Sequence, residues 1–317
     1  MTVGYFVTRA AREDNAGVLE FYDAFPVVRE LYDGVRKWTG LSLDEILGEH
    51  LPEDHGTSNS YSAIRSIAAQ VAVADVLAQE GVRPDAVLGL SLGITSASCM
   101  AGAFDRADMF RMLWERRAIP MPVEGEPAQG VAICRIGPDT DTSTVYGDKV
   151  DGVYLGLDFG PAPDGLGSWV LLAGYRSALE ALAEHQPSVV IIKQGIAAVH
   201  SPLRRPAAEF VRSLLDGVRF RDPQVPLTVC LEPRTLTTGE EVRTAVWENL
   251  IRTASIPHGF AELDRHGVKL LIVPGPSMAD DMVTFPVPVL RVQRPADVEA
   301  AVTKVAELRG AAAEAGI

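Results

Sequence analysis

AVLGLSLGITSASCM, residues 86–100, sets a short apolar run against a Gly-Leu-Ser-Leu-Gly turn and a second run of small, apolar residues. AVLGL (86–90) has the length of a buried strand, and ITSASCMAGAF (94–104) reads as a buried helix. A strand that turns sharply through Gly-x-Ser-x-Gly into a helix leaves the serine exposed on the turn. The free N–H groups and the dipole at the start of that helix favour developing negative charge beside it. Ser91 is therefore a candidate nucleophile. The competing reading is a small residue in a tight strand-to-helix turn. A serine hydroxyl is a poor nucleophile alone and needs both a base and donors for the oxyanion it creates.

Working outward, GYFV (4–7) reads as a strand and residues 17–38 as one helix, with Phe21, Phe25, Val28, Leu31 and Val35 at helical spacing. LPEDHGTSNS (51–60) reads as a polar loop. YSAIRSIAAQVAVADVLAQE (61–80) is apolar nearly all round, the mark of a buried helix. DRADMFRMLWERRA (105–118) is an amphipathic helix. The Pro- and Gly-rich PMPVEGEPAQG (120–130) marks a lobe boundary. Beyond it come strands VAICRIG, GVYLGLDF and SWVLLAG, a helix YRSALEALAEH and a strand SVVIIKQ. This order matches a split β-α-β, ferredoxin-like lobe. Helices over 202–217, 239–254 and 257–266 then alternate with strands PLTVCL (226–231) and VKLLIVPG (268–275), and the tail AVTKVAELRGAAAE is helical. The expected fold is α/β: a large α/β-hydrolase-like core with a parallel sheet, formed by 1–124 and 196–317, and a small ferredoxin-like subdomain inserted at 125–195.

Composition narrows the function. The net charge of −13 argues against a general nucleic-acid binder, which needs clustered positive charge. No apolar run reaches the roughly 18 residues of a membrane span, so no membrane partner is expected. The N-terminus lacks the layout of a secretion signal. Cys99, Cys134 and Cys230 are far apart and odd in number, which fits a reducing cytoplasm better than a disulfide framework. No Cys/His cluster has zinc spacing, and no bound metal or cofactor is expected.

Of the six histidines, His50 and His55 sit in the polar stretch, His185 ends a helix, and His258 and His266 lie on a late amphipathic segment. His200 follows an apolar strand and GIAAV and precedes SPLRRPAAEF. GLSLG (89–93) together with HSPLRRPAAEF (200–210) resembles the malonyl-CoA:acyl-carrier-protein acyltransferase family, which includes the acyltransferases of polyketide synthases. The resemblance runs along nearly the whole chain. GVRPDAVLGLSLG (81–93) resembles the approach to the family's nucleophile. GAFDRADMFRMLWERR (102–117) resembles the helix whose arginine grips a malonyl carboxylate, here Arg116. SWVLLAGYRSALEAL (168–182) resembles the small lobe, WENLIRTASIPHGF (247–260) the Trp-x-x-Asn-Leu stretch, and GVKLLIVPGPS (267–277) the closing strand. The resemblance implies that His200 deprotonates Ser91, that a carbonyl of Asn249 orients His200, and that the Leu92 N–H is one oxyanion donor. It implies an acyl-serine formed from an acyl-CoA or acyl-carrier-protein donor and discharged by the phosphopantetheine thiol of an acyl carrier protein.

The departures are as informative. The family's Gly-Gln-Gly-Ser-Gln loop reads VTRAARED here, with Ala10 roughly at the second oxyanion donor, and Ser62 at best matches a family glutamine near the substrate. Leu90 replaces the commoner histidine before the nucleophile, and Ile94 replaces a frequent glutamate. The segment before His200 is Ala197-Ala198-Val199, without a bulky aromatic, so Leu90, Ala197 and Val199 are expected to shape a roomier acyl pocket. Arg204 and Arg205, with Arg212, Arg219 and Arg221, form a candidate basic patch for an acidic carrier protein. These features favour carrier-protein acylation in polyketide biosynthesis. The alternatives are an acyl-thioester hydrolase on the same scaffold and a non-catalytic carrier-protein-binding homologue. A generic α/β-hydrolase esterase is disfavoured, because its histidine usually falls late in the chain.

Overall fold

The computed structural model describes residues 2–9, 15–120, 125–147, 149–192, 197–278 and 282–314. The chain opens with β1 (Thr2–Val7), α1 (Asn15–Ala24) and α2 (Pro26–Thr39). The one helix expected over 17–38 is therefore two. Phe25 is extended, at φ −120° and ψ 123°, because the Pro26 ring excludes the helical region from the residue before it. Pro26 then occupies the first turn of α2, where a missing N–H costs nothing. α3 (Leu43–Leu47) starts on a capping box formed by Ser42 and Glu45. α4 (His55–Gln79) begins at His55 rather than residue 61, because the Asp54 carboxylate accepts the Thr57 N–H at 2.8 Å and caps the polar segment as helix. It is long and apolar enough to cross a membrane, yet 78% of its apolar window is buried inside the protein, as in a core helix.

β2 (Ala86–Gly89), α5 (Gly93–Met100) and α6 (Arg106–Glu115) follow, and a 3-10 turn, Arg116–Ala118, ends α6. β3 (Gln129–Ile136), β4 (Val153–Pro161), β5 (Ser168–Tyr175), α7 (Arg176–His185) and β6 (Val189–Ile192) come next. A second 3-10 turn, Pro202–Arg204, leads into α8 (Arg205–Leu214), β7 (Leu227–Val229), β8 (Thr235–Leu236) and α9 (Gly239–Glu248). The chain closes with β9 (Ala254–Ser255), α10 (Ile256–Arg265), β10 (Val268–Pro274), β11 (Val289–Val292) and α11 (Ala296–Glu314).

The larger sheet has the order β11-β10-β1-β2-β7-β8. All its pairings are parallel except the antiparallel edge strand β8. Its central strands are covered and read as largely apolar runs, as in AVLG and, apart from the exposed Lys269, VKLLIVP. β11 is not among the expected strands. Pro286 and Pro288 precede it, and an edge strand tolerates such residues. The chain leaves β1 toward β2 on one side, while β10 and β11 lie on the other. In open α/β sheets such a reversal opens a crevice at the strands' carboxyl ends.

The second sheet has the order β6-β3-β5-β4-β9. Its first four strands pair antiparallel, in the order of a split β-α-β lobe whose first crossover is reduced to a short turn at Thr142–Thr144. β9 adds to β4 in parallel from the far side of the chain. Leu157 and Phe159 of β4 are buried in the same hydrophobic cluster as the large sheet.

Candidate active site

Ser91 follows β2 at the carboxyl edge of the large sheet, on the turn into α5. It stands at φ 54°, a left-handed conformation that costs a side-chain-bearing residue of order 1–3 kcal/mol. Hydrogen bonds hold the turn: the Leu90 N–H donates to the Val7 carbonyl at 2.9 Å and the Gly93 N–H to the Leu90 carbonyl at 2.8 Å. The flanking glycines serve close approach. A Cβ on Gly93 would meet the Val7 carbonyl oxygen at 2.0 Å, and one on Gly89 would meet the Ile94 Cα at 2.6 Å. The Leu92 N–H, at the cap of α5, has no acceptor among the described residues and is free to meet an oxyanion.

His200 also adopts a left-handed backbone, at φ 57°. The Ser201 hydroxyl closes this turn by donating to the Ala198 carbonyl at 2.6 Å. The turn directs the imidazole at Ser91, with Ser91 Oγ 2.8 Å from His200 Nε2. Burial pushes the His200 pKa down to about 4, opposed by the main-chain carbonyls of Asn249 and Arg252. The ring is thus neutral at pH 7 and able to accept the serine proton at Nε2. Nδ1 is buried and reaches no partner at full hydrogen-bonding geometry among the described residues.

Asn249 caps the carboxyl end of α9 and donates from Nδ2 to the Ser91 carbonyl at 3.0 Å. Its side chain therefore braces the Ser91 backbone. The Asn249 carbonyl that bears on His200 is the main-chain one.

The cleft around this pair has a volume of about 160 Å³. One water needs roughly 10–15 Å³ on that measure, so the cleft admits an acyl chain of several heavy atoms. Ala197 and Val199 line it, as does Arg116. The Arg116 guanidinium has no acidic partner among the described residues, and its Nε is buried and unbonded. Burial is the first cause that lowers its pKa, to about 10, and the charges of Arg9 and Arg204 add to it.

Several expectations are corrected. Leu90 does not face the cleft; it is 1% exposed in the core of the large sheet. Ser62 lies on α4 but does not line the cleft, to which that helix contributes His55, Gly56, Asn59 and Ala63. Arg204 is buried and lines the cleft, so it is removed from the docking surface. Arg205, Arg212, Arg219 and Arg221 are exposed, Arg212 lying over the Trp247 ring at 5.8 Å. Ala10 lies outside the described residues. His55 and Asn59 escape sequence reasoning because their segment has the composition of a loop. Helical spacing back from Ala63 is the signal that could find them.

No family model matches the chain. It is 25% identical over 261 residues to the malonyl CoA-acyl carrier protein transacylase of Bacillus subtilis (strain 168), covering 81% of each protein. It is 26% identical over 214 residues to a phenolphthiocerol synthesis type I polyketide synthase of Mycobacterium marinum, covering 66% of this chain and 10% of that protein. Among solved structures it resembles a malonyl-transacylase in complex with its type II polyketide synthase acyl-carrier protein. That match has a TM-score of 0.80 and 20% identity, and it covers 96% of this chain and 100% of the other.

Proposed function

We infer that this chain, related by sequence and fold to the malonyl-CoA:acyl-carrier-protein acyltransferases, moves an acyl group from a thioester donor to an acyl carrier protein in polyketide or fatty-acid synthesis. The observation that carries this reading is the 2.8 Å contact between Ser91 Oγ and His200 Nε2, inside a cleft walled by the unpaired Arg116 guanidinium.

The proposed steps are these. The Ser91 hydroxyl gives its proton to His200 Nε2 as Oγ attacks the thioester carbonyl. The Leu92 N–H meets the oxyanion. The C–S bond breaks, and the departing thiolate takes the proton from the imidazolium. An acyl-serine ester remains. The phosphopantetheine thiol of the carrier then loses its proton to His200 and attacks the ester. Collapse returns the proton to Ser91. The Asn249 main-chain carbonyl favours the tautomer with the proton on Nδ1, and Asn249 Nδ2 keeps the strained Ser91 backbone in place. The Arg116 guanidinium suits a carboxylate on the acyl group. No resident cofactor is required; CoA or the carrier's phosphopantetheine brings the acyl group. Three free cysteines, two of them buried, fit a cytoplasmic setting.

Intact-protein mass spectrometry after incubation with a panel of acyl-CoAs tests the assignment. A mass addition on the wild type, absent in Ser91→Ala and discharged by a holo carrier protein, is the expected result. Loss of the adduct to water at the same rate with and without carrier would make the protein a hydrolase. Full acylation of Ser91→Ala would remove the serine from the mechanism.

A further inference from the structure

Among the described residues, the cleft holds more positive charge than a singly charged acyl group can balance. Arg204 ends the 3-10 turn Pro202–Arg204 and caps α8, about one turn after His200. The left-handed turn at His200 and the 3-10 turn Pro202–Arg204, closed by the Arg204 N–H on the Ser201 carbonyl at 3.0 Å, put the imidazole and this guanidinium on the same wall. The residue is 9% exposed. Its guanidinium has no hydrogen-bond or acidic partner among the described residues. Arg116, which also lines the cleft, is in the same condition. No Asp or Glu lines the cleft among the described residues. Arg9 also lines it, but at an exposed position, and donates to Asn59 Oδ1 at 3.1 Å.

Burying an uncompensated cation is costly, so two in one cleft are a standing demand for anionic ligand. One terminal carboxylate supplies one charge. A CoA or phosphopantetheine phosphate sits at the far end of a long arm from the thioester, whereas Arg204 shares the wall with the reacting His200. The charge it meets therefore belongs to the acyl group.

We propose that Arg204 is a second anion-binding residue of the acyl pocket, and that with Arg116 it selects an acyl group carrying two negative charges, as two carboxylates or one phosphoryl group. The wider space left by Ala197 and Val199 accommodates the larger end group. This inference rests on the acyltransferase reading above.

The test compares Ser91 acylation by four pantetheine thioesters on the full-length protein: acetyl, malonyl, tricarballylyl with two free carboxylates, and 3-phosphoglyceryl. The wild type is expected to load one of the doubly charged acyl groups about tenfold or more faster than malonyl, the scale of one added charge-assisted hydrogen bond. The better of the two identifies the source of the charge. In Arg204→Met the ratio of doubly charged to malonyl loading should collapse toward one, and Arg204→Lys should restore part of it. A ratio within one variant is independent of how much of that variant is folded. Malonyl loading faster than both doubly charged groups, or a ratio unchanged by Arg204→Met, overturns the proposal while leaving the acyltransferase intact. Absence of any adduct from all four overturns both.

Discussion

At the scale of single residues, the buried neutral His200 sets how the reaction responds to pH. A histidine ordinarily titrates near 6.5, and burial here pushes His200 down to about 4. Only the neutral ring can accept the Ser91 proton. The acidic limb of kcat/KM for acyl-enzyme formation is therefore expected near pH 4, not 6.5, in a stopped-flow pH series. The same shift affects stability. The unfolded chain takes up this proton as pH falls through 6.5, while the folded protein resists it until about 4. Stability contributed by the neutral ring is thus full above pH 6.5 and erodes down to about pH 4, where the loss levels off. An acidic limb at 6.5 would mean the imidazole is solvated in the working protein. Ser91 is legible from its strand-turn-helix motif, and His200, Asn249, Arg116, Ala197 and Val199 because the resemblance aligns them. Leu90, Ser62 and Arg204 are misplaced by sequence reasoning for one physical reason. Which way a side chain faces depends on the rotation of its element against the rest of the fold, and local sequence does not carry that.

At the scale of elements, the approach of α5 to β1 makes the Ser91 turn unforgiving. A Cβ on Gly93 would stand 2.0 Å from the Val7 carbonyl oxygen and 2.8 Å from the Thr8 Cα, both backbone atoms that cannot swing aside. Gly93→Ala is expected to cost about 3 kcal/mol, the upper range for overpacking. Gly310, inside α11, is exposed, and a methyl group added there would meet no atom within 4 Å. Gly310→Ala is expected to gain about 0.8–1.0 kcal/mol from helix propensity alone. Urea midpoints at unchanged slope measure both, and equal signs for the two substitutions would refute the close-approach account. Strands β1, β2, β7 and β10 of the parallel sheet are legible from their largely apolar runs. The break between α1 and α2 is also written in the sequence, in Pro26, but the apolar spacing across it is continuous and hides it. The early start of α4 depends on the Asp54 cap, a single hydrogen bond inside a stretch whose composition resembles a loop. β11 is stabilised by pairing with β10, a contact distant in sequence from its own proline-rich approach.

At the scale of the whole molecule, the two sheets share a seam, and the Ser91–His200 pair is divided across it. Ser91 belongs to the large sheet through β2, whereas His200 stands on the return from β6 of the small sheet to α8. The seam is both apolar and polar. Leu157 and Phe159 leave the small sheet to enter the large core. Asp158 between them accepts the Ser255 hydroxyl at 2.9 Å and the Gly160 N–H at 2.8 Å, and the Thr253 hydroxyl donates to the Leu155 carbonyl at 2.7 Å. A chain built this way should unfold as one unit, because opening either sheet strips buried surface from the other. Native-state hydrogen exchange in rising urea, read by mass spectrometry, should find β5 and β10 losing protection at the same concentration. Leu157→Ala should test the seam directly. The residue is 6% exposed, and its truncation is expected to cost about 2–5 kcal/mol. If the sheets are coupled, that loss lowers the protection of β10 as much as that of β5, although Leu157 lies on neither strand. Protection lost from β5 alone would mean that the small sheet opens independently, and that the Ser91–His200 distance is set by a hinge instead of a shared core.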